Sequence, residues 1–146
     1  MKKIIFLSLF MLFAVGNVNA QAKKPKSIIS TSGAALKKFH EKSELDAMPK
    51  GQLLELYKER IKVLVNLLPY LALTNKPGMT MQDVGIPDTS ENNKALDTQQ
   101  ANIQTFVTST IDFQSLMIPF ADKGNLVTSI LYYENMLREL NQLYEQ

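Results

Sequence analysis

Leu53-Leu54-Glu55-Leu56-Tyr57-Lys58-Glu59-Arg60-Ile61-Lys62-Val63-Leu64-Val65-Asn66-Leu67-Leu68-Pro69-Tyr70 is the stretch whose reading decides the fold. With Leu71 added, Leu53, Tyr57, Ile61, Leu64 and Leu68 recur at spacings of three and four, which stacks them on one face of an α-helix. Glu55, Lys58, Glu59, Lys62 and Asn66 fall opposite. From Val63 to Leu68 the helix becomes apolar on almost every side, so this half belongs in the centre of a core. Pro49 suits the first turn, where a missing N–H costs nothing. Pro69 removes a helical hydrogen bond and crowds the carbonyl four residues back, so the helix kinks or stops there.

On the C-terminal side, Thr80-Met81-Gln82-Asp83 has the form of a capping box, closed by Gly85 and Pro87 into a single helical turn. Met79, Met81, Val84 and Ile86 give this connection something to bury, so it reads as an ordered loop. Asp88-Thr89-Ser90-Glu91 opens a further helix reaching about Met117, with Leu96, Ile103, Phe106, Thr110, Phe113 and Met117 at helical spacing. Val107 and Ile111 support that face, while the polar first half leaves little to bury. Pro119 ends or bends this helix as Pro69 does the earlier one, and Leu67-Leu68-Pro69-Tyr70 is echoed by Met117-Ile118-Pro119-Phe120. After a turn at Asp122-Lys123-Gly124-Asn125, in which Asp122 or Asn125 caps, Leu126, Ile130, Tyr133, Leu137, Leu140 and Tyr144 form a narrow stripe suited to lengthwise packing.

On the N-terminal side, Ser30, Thr31 or Ser32 can cap a short helix running through Ala34, Leu36 and Phe39 to about Asp46. No alternating run competes as a strand. The expected class is all-α: a small antiparallel bundle of three long helices plus a short N-terminal helix, with two helices kinked or ended by Pro69 and Pro119.

Residues 1–20 have the three parts of a secretory signal: Lys2 and Lys3, the apolar run Ile4 to Val15, and small residues to Ala20. The run is too short for a membrane span. Residues 21–32, poor in apolar residues and holding Pro25, read as a flexible leader, and residues 33–146 as a single helical domain. No cysteine is present, which excludes disulfides, a thiol nucleophile and a lipoprotein anchor. The expected location is therefore periplasmic or secreted.

Lys2 and Lys3 account for the formal charge of +2, so the processed chain is neutral and has no general electrostatic reason to bind nucleic acid or anionic lipid. Charge is uneven within it: residues 21–62 hold ten Lys/Arg against five Asp/Glu, and residues 63–146 hold four against nine. Basic and acidic helix faces that neighbour one another in one bundle account for this pattern.

Chemistry is sparse. His40 is the one histidine, and with Glu41 and Glu44 it falls short of the three or four ligands a zinc site needs; it reads as an exposed residue beside helix-surface acids. No Glu-x-x-His, Gly-x-Ser-x-Gly or phosphate-binding glycine loop occurs, and Asp112 reads as solvated. No cofactor or metal is expected, nor an enzyme. The expectation is an interaction module that binds a protein partner or itself through an apolar helix face. The alternative is a carrier for a small apolar ligand between kinked helices. Pro69, Tyr70, Pro119, Phe120 and Tyr133 are the candidate binding residues for either role.

Overall fold

The computed structural model describes residues 25–32 and 35–142, so the expected signal peptide and Tyr144 lie outside the described residues. Helices α1 (Lys42–Ala47), α2 (Lys50–Leu67), α3 (Ser90–Met117) and α4 (Lys123–Gln142) follow in order, with no β-strand among the described residues. The protein is an all-α bundle of three long helices and one short one.

α2 is the central helix, approached most closely by α4 and next by α3. α3 runs antiparallel to it: Gln104 Nε2 donates to Asn66 Oδ1 at 3.4 Å, Lys58 Nζ to Ser115 Oγ at 3.3 Å and Lys50 Nζ to the Pro119 carbonyl at 2.6 Å. α4 turns back and lies parallel to α2, with the Tyr57 and Tyr133 rings 5.5 Å apart. The bundle therefore has an upper end at Tyr70 and a lower end at Pro119.

Local signals act where the sequence places them. Asp83 accepts from the Thr80 N–H at 2.7 Å, and Gly85 stops the following 3-10 turn at φ +78°, a left-handed geometry that favours glycine. Thr89 caps α3 by accepting from the Asn92 N–H at 3.1 Å, and Asp122 accepts from the Gly124 N–H at 2.7 Å at the start of α4. The echoed corners prove alike. Both α2 and α3 end in a 3-10 turn with proline at the second position, Leu68–Tyr70 and Ile118–Phe120.

Two expectations at the N-terminal side need correction. Within the supposed flexible leader, Ile28 and Ile29 are each 1% exposed, and the Ile28 N–H donates to the Met79 carbonyl at 2.8 Å. Burial of two adjacent isoleucines offsets part of the entropy lost in ordering a short polar arm. The first helix, expected through Ala34, Leu36 and Phe39, begins only at Lys42. Upstream of it the backbone serves other partners: the Lys38 carbonyl accepts from Arg60 at 3.0 Å and the His40 N–H donates to Glu134 at 2.6 Å. Polar groups committed to α2 and α4 are not available to a helical ladder.

Buried apolar residues form two clusters. The upper one includes Ile28, Ile29, Val63, Leu64, Leu67, Tyr70, Met81, Leu96, Ile103, Val107 and Leu137. The lower one is Leu45, Leu53, Leu126, Val127 and Ile130, and α3 contributes nothing buried to it. The buried line of α3 is Leu96, Ile103, Val107 and Gln114, so Phe106, Phe113 and Met117, expected inside, face water.

Gln114 is 5% exposed and its Oε1 has no hydrogen-bond partner among the described residues. A buried acceptor left unmet costs about 1–3 kcal/mol. Gln114→Met, which keeps the length and removes the carbonyl, is expected to raise the thermal midpoint by a few degrees. An unchanged or lowered midpoint would show that the carbonyl is paired in solution.

Candidate functional site

The five predicted residues do not converge. Pro69 and Tyr70 stand at the upper end of α2, and Pro119 and Phe120 at the lower end of α3, beside Lys50 and Gly51. Tyr133 sits midway, its hydroxyl 3.5 Å from that of Tyr57. Burial, and next the bond to Tyr57, push the Tyr133 hydroxyl up to about 12. Tyr70 is buried and plugs its end of the core, but Phe120 is 85% exposed and plugs nothing.

Between the two apolar clusters lies a layer of charge that the sequence reading missed. Arg60 is 1% exposed and Glu134 0%, each in a slot of its helix otherwise filled by an apolar side chain. Leu53, Tyr57, Arg60, Leu64 and Leu67 keep spacings of three and four, and so do Val127, Ile130, Glu134 and Leu137. A charge of opposite sign at an apolar position on each of two helices was the available signal. Arg60 Nη2 donates to Glu134 Oε1 at 2.7 Å and Nε to the same oxygen at 3.1 Å. Its remaining N–H groups reach the carbonyls of Lys38 and Leu56 and the Glu59 carboxylate.

His40 completes the layer. It is 7% exposed, which corrects the expectation of a surface histidine sharing a helical face with Glu44. It precedes α1, and its Nδ1 lies 3.0 Å from both Glu134 Oε1 and Arg60 Nη2. Nδ1 can donate to the carboxylate or accept from the guanidinium, but not both at once. Burial pulls the Glu134 carboxyl upward. The His40 N–H, the His40 ring and the Arg60 guanidinium outweigh that and hold it below the usual carboxylate range. Among the described residues no three His, Asp or Glu side chains gather as a metal set.

The surface holds the second feature. Phe106, Phe113, Leu116, Met117 and Phe120 are 56%, 61%, 69%, 49% and 85% exposed. Phe106, Phe113 and Met117 are seven and four residues apart, hence on one line of α3, with Leu116 beside it. Residues 98–121 carry one charge, Asp112, which is exposed. A helix half with a single charge and an aromatic row in water is the kind of surface that marks an interaction site. No helix among the described residues is long and apolar enough to cross a membrane.

Comparison with protein-family models, curated proteins and solved structures finds no match. The geometry therefore stands alone.

Two outcomes follow from the charge layer. Removing one member of a buried pair costs about 3–5 kcal/mol, because the other charge is left uncompensated, whereas apolar replacement of both is far cheaper. In urea denaturation, Arg60→Met and Glu134→Leu are each expected to cost that much, and the double variant much less than their sum; additive losses would mean the two charges are not coupled. As to pH, a depressed carboxyl gives stability that is complete above the unfolded-state value, about 4.3 for glutamate, and lost as pH falls through the folded value. The urea midpoint should stay level from neutral pH into the mildly acid range and then drop, and the acid drop should be smaller in Glu134→Gln.

Proposed function

We propose that this chain is an exported, non-enzymatic interaction module that binds protein through the exposed apolar row of α3, with a second copy of itself as the simplest occupant. The row from Phe106 to Phe120 carries this reading. The lower core takes no buried residue from α3, so the row leaves apolar area on the outside that a partner helix can cover. A face with one charge in residues 98–121 asks for no complementary charge from its partner. Two copies related by a twofold axis present identical surfaces to each other, and a helix face with a single charge meets that condition with little repulsion.

Support for a binding rather than catalytic role comes from His40. The chain's single imidazole has its Nδ1 held between a guanidinium and a carboxylate inside the bundle, a placement that favours a structural role over proton transfer to a substrate. Export rests on the Lys2 to Ala20 pattern, which fits a cleaved leader that precedes a periplasmic or secreted domain.

Sedimentation of residues 21–146 tests the reading. The wild type is expected to shift from monomer to dimer as concentration rises into the high micromolar range, and Phe113→Glu to stay monomeric with an unchanged melting midpoint, since Phe113 is 61% exposed. A wild type that remains monomeric throughout removes self-association. A dimer that survives Phe113→Glu moves the contact to another surface.

A further inference from the structure

Phe106, Phe113 and Phe120 recur every seven residues, and the last of them stands in the corner just beyond α3. It is 85% exposed. Beside it, at the lower end of the bundle, a hollow of about 230 Å³ lies between the first turns of α2 and that corner, walled by Lys50, Gly51, Leu54, Ile118 and Pro119. Its one charged member, Lys50, has its Nζ donating to the Pro119 carbonyl at 2.6 Å, which leaves the apolar side chains to set its chemistry. Gly51 keeps one side open: a β-carbon there would meet nothing within 4 Å among the described residues outside its own stretch of helix. An apolar cavity of about 150 Å³ accepts benzene, so a phenyl ring fits in this socket. Phe120 follows Pro119 directly, yet its ring stands in water and takes no part in the wall.

Two observations point to a second copy as the occupant. The first is area. Phe106, Phe113, Leu116, Met117 and Phe120 are each about half or more exposed, which leaves on the order of 100 Å² apiece in water. Two such rows covering each other bury roughly 1,000 Å², which only reaches the threshold of a specific interface. A contact that also covers the walls of the socket on both copies passes that threshold. The second is position. Pro25 stands beside Thr80 and Met81 at the upper end, and α4 starts at Lys123, bonded to the Asp46 carbonyl at the lower end, and runs away to Gln142. Neither end of the described chain is beside the socket.

We infer that Phe120 of each copy seats in the Gly51 socket of the other, an inference that rests on the self-association proposed above and names its anchoring contact. Ring and socket adjoin at one corner, so a single twofold axis passing close to Pro119 exchanges both, as an isologous contact requires. An aromatic side chain buried in a pocket of the other copy is the kind of anchor that carries most of an interface's energy. The rest of the row then excludes water around it.

Two variants of residues 21–146 separate ring from socket. Phe120→Ala removes the ring, and Gly51→Leu fills the socket from an exposed helix position with room for a side chain. Both should keep the wild-type melting midpoint or exceed it, since Phe120 is 85% exposed and leucine suits a helix better than glycine. In sedimentation each is expected to weaken the dimer roughly tenfold or more, the scale of a buried aromatic anchor. An equimolar mixture of the two should dimerise more tightly than either alone, because Gly51→Leu still offers its Phe120 and Phe120→Ala still offers its socket. A wild type that stays monomeric removes both this contact and the reading it rests on. If the wild type dimerises and Phe113→Glu does not, but Phe120→Ala and Gly51→Leu associate as the wild type does, the α3 reading stands and this contact is overturned. A mixture no tighter than its separate components also overturns it.

Discussion

The bundle is organised around the Arg60–Glu134 pair, a charge placed where each helix would otherwise carry an aliphatic side chain. Taking two ions out of water is costly, and the cost is met only if every lone pair and N–H finds a partner at good distance. Glu134 receives the guanidinium, the His40 N–H and the His40 ring, while Arg60 spends its other donors on two backbone carbonyls and Glu59. This requirement sets the register of the parallel pair α2 and α4. It also fixes the N-terminal segment, whose backbone between Lys38 and His40 must lie across the pair. An apolar core of the same volume would tolerate sliding by a turn; a fully satisfied ionic layer does not.

The layer also divides the interior. Above it, the upper cluster draws on the N-terminal arm, α2, α3 and α4; below it, the lower cluster draws on α1, α2 and α4 alone. α3 is thus committed to the core over its first two thirds and leaves its last third largely unused. The same helix that packs Leu96 and Ile103 into the upper cluster carries the bare aromatic row toward its other end.

Periodicity made the helices legible, along with their proline endings and the caps at Thr80, Thr89 and Asp122, because each is a local pattern of a few residues. Faces were less legible. On α3, Phe106 and Val107 are neighbours and both apolar, and the hydrophobic scale cannot say which of them turns inward; tertiary packing chose Val107. On α4, the reading preferred Tyr133 to Glu134 because a buried carboxylate is a poor wager without knowledge of its partner. That partner lies 74 positions away in sequence, and the histidine 94, so neither is visible in a local window. Ile28 and Ile29 were passed over for a similar reason: the arm around them is polar, and what buries them comes from Val63 onward.

His40 and Glu134 are joined although 94 residues separate them, and Ile28 shares a cluster with Leu137. Contacts of that span are the slow ones to form, since a long loop must close before any of them is rewarded. Glu134 follows Arg60 by 74 residues and His40 by 94, so a nascent chain carries both without that carboxylate until synthesis has passed α4. Individual helices can form and fray during that time, but the ionic layer, and with it the register, closes only once Glu134 has been added. The architecture therefore delays its own commitment until α4 has been made.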